Sequence, residues 1–160
     1  MKDKIMNIEK LEGVLQKERK KGIKIVFTNG CFDILHVGHV RYLAEARNHG
    51  DLLVVGLNSD DSVRKLKGSK RPLVTEEERA ELLSYLEMVD FIVVFEELTA
   101  EKVILTLRPD IYIKGGDYKV EELPEAKAVK DIGGKIALIP EIEGASTTNI
   151  VGKIIERYEK

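Results

Sequence analysis

The chain has 160 residues, 43% hydrophobic and 34% charged, with four prolines and no tryptophan, which is the size of one compact domain and leaves little room for a second. Its 26 Lys and Arg against 28 Asp and Glu give a formal charge of −2, so no basic field exists to grip a nucleic-acid backbone and no nucleic-acid partner is expected. The longest apolar runs, residues 52–55 and 91–95, fall far short of the roughly 20 residues that cross a bilayer, and the start lacks the apolar core of a secretory signal, so a cytoplasmic protein without membrane contact is expected.

Asn7 can cap a helix in which Ile8, Leu11 and Leu15 recur at helical spacing, and Gly22 stands where that helix would stop. This helix is expected on the outside of the fold. Residues 23–28 form a short, β-branched, nearly unbroken apolar run, as in a strand covered on both faces. Helical stretches at 37–49, 76–88, 100–107 and 124–131 then alternate with apolar runs at 52–57, 91–95, 111–113 and 136–139, and a last helix is predicted over 148–158. The punctuation agrees: Thr75 and Glu78 have capping-box spacing, Gly50 and Gly133 sit at helix ends, and Pro109 stops a helix before Asp110.

Strands alternating with helices at this spacing imply right-handed βαβ units. The expected fold class is α/β: a doubly wound parallel sheet of about five strands with helices on both faces. One domain is expected over 1–160, with an N-terminal helix in 1–22 and the α/β core in 23–160. Such sheets bind ligands beyond the carboxyl ends of the strands, at a topological switch point. The loops to inspect are therefore 29–37, 58–75, 114–123 and 140–147.

The first loop, Asn29-Gly30-Cys31-Phe32-Asp33-Ile34-Leu35-His36-Val37-Gly38-His39, follows the first sheet strand and opens a helix, where free N–H groups and the helix dipole favour a phosphate. If that helix begins near His36, the imidazoles of His36 and His39 share one face of its first turn, and Gly38 leaves room for close approach. Two donors then converge on one oxyanion. A lone histidine there would read as a cap or a packing residue, but the pair at a helix opening points to function. A zinc pair is the second functional reading, yet a catalytic zinc wants three protein ligands and only Asp33 or His49 could supply the third. Cys31, the only cysteine, permits neither an intrachain disulfide nor a multi-cysteine zinc site, and reads as a small packed residue rather than a nucleophile. Asp33 either receives a substrate hydroxyl or holds the loop by an Asx-type bond.

The second loop holds Arg64, Lys65, Lys67, Lys70 and Arg71, five cations in eight positions. A charge run is ordinarily a solvated face, but above the carboxyl edge these side chains could close over a triphosphate and neutralise charge passing to a leaving pyrophosphate. Arg79, on the capped helix that comes next, would join them or pair with a surface glutamate. In the third loop, Lys114-Gly115-Gly116-Asp117-Tyr118 puts paired glycines after a strand, permitting close approach of a flat base or serving as an ordinary turn. In the fourth, Ser146-Thr147-Thr148 introduces the last helix, as a second phosphate site or a plain cap. No P-loop, dinucleotide fingerprint or nucleophile elbow is present.

At these residues the chain resembles the HxGH nucleotidyltransferase superfamily, with His36-Val37-Gly38-His39 as the first motif and Ser146-Thr147-Thr148 as the second. It looks most like the adenylyltransferase domain of the bifunctional enzymes that make ADP-heptose for bacterial lipopolysaccharide cores. The residues carrying that likeness are Thr28-Asn29-Gly30-Cys31-Phe32-Asp33-Ile34-Leu35-His36, Leu57-Asn58-Ser59-Asp60, Arg71-Pro72, Lys114-Gly115-Gly116-Asp117-Tyr118 and Ser146-Thr147-Thr148-Asn149-Ile150, and it extends over roughly residues 8–155.

The resemblance implies a Rossmann-like fold and transfer of AMP from ATP to D-glycero-β-D-manno-heptose 1-phosphate. Catalysis falls to His36, His39 and Lys67, with Lys65 or Arg79 as alternates to Lys67. Nucleotide binding falls to Cys31, Phe32, Gly38, Gly115, Gly116, Asp117, Ser146, Thr147 and Thr148, and acceptor binding to Asp33, Asn58, Arg79 and Lys114. Mg2+ is expected, held mainly by nucleotide phosphates and water. Related enzymes imply a homodimer. A sugar kinase precedes this domain in the bifunctional form, whereas residues 1–22 hold only a helix, so a separate upstream sugar kinase is expected.

Glycerol-3-phosphate cytidylyltransferase is the close alternative; there Glu141 stands where that family has Arg, which weakens the CTP reading, while Lys114-Gly115-Gly116-Asp117-Tyr118 favours the heptose one. An FAD-synthetase-like adenylyltransferase is a more distant relative. Outside the transferases stand a zinc-dependent hydrolase and a nucleotide-binding regulatory module, and intact His36, His39 and Lys67 argue against the latter.

Overall fold

The structure, a computed structural model, describes residues 2–159. Five strands, β1 (Ile25–Gly30), β2 (Leu52–Asn58), β3 (Phe91–Phe95), β4 (Ile111–Gly115) and β5 (Lys135–Ile139), form one parallel sheet in the order β3-β2-β1-β4-β5. The chain winds outward from β1 to β3, then crosses back to add β4 and β5 on the other side of β1. The switch point of this Rossmann-like α/β sheet therefore lies between β1 and β4. Their pairing ends at Thr28 and Ile113, which opens a crevice flanked by Asn29 and Gly30 on one strand and Lys114 and Gly115 on the other.

Successive strand residues point to opposite faces, and both faces are covered, so the strands read as continuous apolar runs. On one face Phe27, Val54 and Tyr112 pack with Leu11 and Leu15 of α1 (Ile8–Lys20), Val103 and Ile104 of α5 (Glu101–Leu107) and Ala128 and Val129 of α6 (Ala126–Asp131). On the other, Val26, Val55 and Ile113 pack with Leu43 and Ala46 of α2 (Val37–Arg47) and Ala80 and Leu83 of α4 (Glu76–Ser84). The first helix is thus an outer layer whose two leucines are wholly buried. Asn7 caps it by accepting from the Lys10 N–H at 2.9 Å.

Three elements differ from the sequence expectation. The 58–75 segment is not all loop: α3 (Asp60–Lys67) occupies its first half, with Ser59 accepting from the Ser62 N–H and the acids Asp60 and Asp61 at its positive end. Arg64, Lys65 and Lys67 therefore stand on its last turn rather than on a free loop. The helix expected over 76–88 ends at Ser84, whose hydroxyl donates to the Glu81 carbonyl at 2.6 Å and competes with the helical ladder. β1 begins two residues later than the predicted 23 and runs to Gly30. The final helix, α7 (Thr147–Tyr158), starts on its Ser146 cap and buries no side chain fully. No helix among the described residues is long and apolar enough to cross a membrane.

Candidate active site

A cleft of about 680 Å³ lies over the β1–β4 crevice, within the size range of small-molecule sites. The α2 side contributes His36, Gly38 and His39, the turn before α7 contributes Ala145 and Ser146, and the first two residues of α7 contribute Thr147 and Thr148. Asn29, Gly30 and Gly115 come from the strand ends, Lys67 and Arg71 from beyond β2, and Leu98, Thr99 and Glu125 from the α5–α6 side.

The turn after β1 is tight because Phe32 adopts a left-handed backbone, φ 47, an uncommon conformation for a side chain of that size. Its ring folds back over Gly30, where an added Cβ would lie 3.0 Å from Phe32 Cε2, and meets the His39 ring at 5.2 Å. This brings His36 to the N-cap position of α2 without a side-chain capping bond, leaving the first N–H groups of the helix open to a ligand. Only a glycine at position 38 leaves room for the His36 ring and the turn before α7: a Cβ there would stand 2.8 Å from the Ala145 Cβ and 2.9 Å from two atoms of the His36 ring.

His36 and His39 stack at 3.8 Å between centroids, 21° apart in plane. The Nδ1 atoms of both are buried without a hydrogen-bond partner. Burial pushes both imidazoles below their ordinary value; for His39 the adjoining His36 and Lys67 add to that push, the Ile34 backbone opposes it, and the result is about 4. In the free site the pair is neutral, and an arriving phosphate reverses the balance by favouring the charged form.

Asp33 does not reach the cleft. Its carboxylate accepts from the Leu73 and Val74 N–H groups at 2.8 and 2.9 Å and from Arg71 Nη1 at 2.7 Å. Burial would raise this carboxyl, but those N–H bonds and the Arg71 guanidinium outweigh it and hold the group below the usual carboxylate range. The hydrogen bonds fix Arg71, which does line the cleft. The loop-holding alternative for Asp33 is therefore what the geometry shows, with the bonds going to a distant loop rather than to its own.

Arg79 also falls elsewhere. It is completely buried and donates to the carbonyls of Val74, Cys31 and Asn58 at 2.9, 2.6 and 2.9 Å and to Asp60 at 2.7 Å. It is neither a phosphate ligand nor a surface ion pair but an internal strut joining the β1 turn, the end of β2, the start of α3 and the loop before α4. Only a guanidinium has enough fixed donors for four convergent acceptors. Asp117 is exposed and outside the cleft, because Gly116, at φ +109, turns the chain away.

Gly116 itself is buried and Lys65 is exposed, and neither lines the cleft; the other expected residues converge. Lys67, Lys114, Phe32, Gly115, Thr147 and Thr148 line the cleft, as does Asn58, whose amide donates to Ser62 Oγ at 2.9 Å. Gly115 lies against the Tyr42 ring, and Lys114 Nζ sits 5.8 Å from the Tyr118 ring centroid. Cys31 lines it too, but burial pushes its thiol up against the opposing pull of Lys67 and Arg79, so the group is a packed thiol and not an activated thiolate. Ser146 spends its hydroxyl capping α7, accepting from the Asn149 N–H at 3.0 Å, and Thr147 Oγ1 donates to the Ile34 carbonyl at 3.5 Å, linking the two motifs.

Tyr42 and Glu125 were not singled out from the sequence, while Asn29 and Arg71 stood out only as members of the first loop and of the cation run. Tyr42 carried a usable signal, being three residues beyond His39 on the same helical face; Glu125 carried none beyond an ordinary helix start. Among the described residues no three His, Cys, Asp or Glu side chains are grouped to hold a metal ion, so the zinc reading lacks its third ligand.

The Cytidylyltransferase-like family pattern matches residues 27–153. The bifunctional protein HldE of Syntrophotalea carbinolica is 54% identical over 157 residues, covering 98% of this chain and 32% of that protein. HldE of Geobacter sulfurreducens is 50% identical over 155 residues, covering 97% and 32%. The chain thus spans about a third of the length of these curated relatives. A lipopolysaccharide core biosynthesis protein from Thermoplasma volcanium is 32% identical, with a TM-score of 0.62 over 76% of this chain and 98% of that one. Pantoate-beta-alanine ligase from Francisella tularensis, at 17% identity and a TM-score of 0.59 over 98% of this chain and 79% of that one, shares the fold. With a Rossmann-like sheet, two histidines at an open helix start and this match across most of its length, the chain belongs to the cytidylyltransferase-like family of nucleotidyltransferases.

Proposed function

We propose that the chain transfers AMP from ATP to D-glycero-β-D-manno-heptose 1-phosphate, giving ADP-heptose and pyrophosphate. The observation that carries this reading is the stacked His36–His39 pair at the uncapped start of α2, facing the Ser146–Thr148 turn across one cleft. The roughly half-identity to HldE proteins and the likeness to a lipopolysaccharide core biosynthesis protein support the sugar acceptor. Glu141, a carboxylate on the cleft, stands where a cytidylyltransferase of the glycerol-3-phosphate type would place a cation, and argues against that reading.

The acceptor phosphate is already an anion, so the site needs no strong base. An acceptor oxygen forms a bond to the α-phosphorus of ATP as the bond to the departing pyrophosphate oxygen breaks on the opposite side. The chain supplies alignment and charge stabilisation. The α2 N–H groups and both imidazoles donate to the non-bridging α-phosphate oxygens as negative charge accumulates. Lys67 and Arg71 draw in the β- and γ-phosphates and accompany the leaving pyrophosphate. Gly115 lets the Tyr42 ring close on the end of β4, and the base would lie on the cleft side of that strand end. Magnesium would be carried mainly by the nucleotide phosphates and water, where it would neutralise charge. A sugar 1-phosphate acceptor places a sugar kinase reaction upstream.

The test is pyrophosphate release with ATP or CTP, crossed against heptose 1-phosphate, glycerol 3-phosphate and FMN, with products identified by mass. Turnover confined to ATP and the heptose phosphate supports the reading. Turnover of CTP with glycerol 3-phosphate, or of ATP with FMN, overturns the substrate assignment.

A further inference from the structure

The cleft continues past the histidines to the α5–α6 side of the sheet, where Leu98, Thr99, Pro124 and Glu125 line it. Glu125 stands at the N-cap position of α6 and is 2% exposed. One carboxylate oxygen, Oε1, accepts from the Ala100 N–H over a long 3.4 Å. The other, Oε2, is buried and has no partner. Glu125 also makes no salt bridge among the described residues. A buried carboxylate left half unsatisfied is destabilising, and its place on the cleft suits a ligand that brings a donor.

Its neighbours suit the same ligand. The Tyr112 hydroxyl donates to Asn29 Oδ1 at 2.6 Å, which fixes the Asn29 side chain and leaves its amide N–H groups for the cleft it lines. Tyr112 is held protonated by burial, by the negative charge of Glu125 and by the approach of that carboxylate to its hydroxyl; the hydroxyl donates to Asn29 and leaves Oε2 without a partner. Lys114 and the half-exposed ring of Tyr118 complete this end. An acceptor carboxylate, amide donors, an aromatic ring and an ammonium together fit a small phosphate ester carrying several hydroxyls.

We propose that Glu125 is the residue that reads the hydroxyls of the acceptor: its free Oε2 takes a hydrogen bond from a hydroxyl of the sugar phosphate on the α5–α6 side, while the nucleotide occupies the α2–α7 side. This rests on the reading of the chain as a sugar-phosphate nucleotidyltransferase. Because an ionised carboxylate only accepts, the site rejects a compound lacking the matching hydroxyl by leaving Oε2 unpaired.

The test is Glu125→Gln, which keeps the size of the side chain and an oxygen for the Ala100 N–H but replaces the Oε2 acceptor with a donor. Binding of ATP and of heptose 1-phosphate is titrated separately by calorimetry on both proteins, beside pyrophosphate release and thermal melting. The expected result is an acceptor Kd and KM raised about tenfold to a hundredfold with the ATP Kd within about twofold of wild type. Unchanged acceptor affinity, or equal weakening of ATP and acceptor, overturns the assignment. Should Glu125→Gln fail to fold, Glu125→Asp, which retracts the carboxylate by one methylene, is judged by the same split. If wild type binds heptose 1-phosphate but releases no pyrophosphate, the proposed activity fails while the titrations still decide Glu125. If it does not bind that compound, glycerol 3-phosphate and hexose 1-phosphates are titrated: binding that depends on Glu125 keeps the assignment, and binding of none of them ends it.

Discussion

Replacing Gly38 by alanine separates the geometry of the histidine pair from the stability of the fold. The new Cβ would lie 2.8 Å from the Ala145 Cβ and 2.9 Å from His36 Cε1 and Nδ1. Non-bonded carbons rest at about 3.5–4.0 Å, so the His36 ring and the Ala145 turn must retreat by roughly 0.7 Å or more. A displacement of about 1 Å in a reacting array costs on the order of a hundredfold in rate. The same substitution favours the helix by about 0.5–1 kcal/mol, because glycine gives up more backbone freedom than alanine. That gain opposes the clash, and the Ala145 loop can yield. Gly38→Ala should therefore lower kcat about a hundredfold while shifting Tm by no more than about 3 °C. Pyrophosphate release at saturating ATP, beside a circular-dichroism melt, measures both. A folded variant keeping more than about a third of wild-type kcat would refute the idea that close packing on Gly38 sets the imidazole geometry.

Four further outcomes are expected. His39, neutral in the free site with a value near 4, should rise when polyphosphate binds, so ATP binding near pH 5 takes up protons. Calorimetry in two buffers of different ionisation enthalpy reads this uptake, which should shrink in His39→Ala; net release would contradict the neutral pair. The carboxyl of Asp33 has a lowered value in the fold, so it stabilises the loop carrying Arg71 above the ordinary carboxylate range, and that contribution is lost as pH falls through the lowered value. The Tm difference between wild type and Asp33→Asn should accordingly be large at about pH 7 and narrow toward about pH 3, and a difference independent of pH would dismiss the linkage. Arg79→Met strands Asp60 and three carbonyls, costing about 3–5 kcal/mol, or about 10 °C in Tm. Lys67→Ala, on an exposed turn, should leave Tm unchanged and lower turnover tenfold or more, about the effect of losing one stabilising cation; the reverse pattern would exchange the two roles.

The sheet was legible because strands buried on both faces carry unbroken apolar runs, and the helices between them have caps and stops in the local sequence. The His36–His39 pair was legible for the same reason, since its geometry comes from a spacing of three at a helix start. α3 escaped notice because only Ser62 and Val63 are buried in its eight residues, too few to give a period, while its cations resembled a loop; the Ser59-Asp60-Asp61 cap was the available signal. Arg79 and Asp33 were misplaced for another cause. Their partners lie far along the chain, at Cys31 and Asn58 for Arg79 and at Arg71, Leu73 and Val74 for Asp33, and only the winding of the sheet brings them together. The orphaned oxygen of Glu125 is likewise invisible until α5 and α6 are side by side.

The last helix buries no side chain fully, and its first turn is tied to the first motif by one long bond, from Thr147 to Ile34. A helix of twelve residues is marginal in water on its own. A nucleotide seated against Ser146, Thr147 and Thr148 contributes to that helix by mass action, about 2.7 kcal/mol when present at a hundredfold excess over its Kd. Amide hydrogen exchange along α7 therefore gauges occupancy of a cleft that its later turns never touch. Slowed exchange as far as Tyr158 would count filled sites without a chromophore, a label or a turnover event.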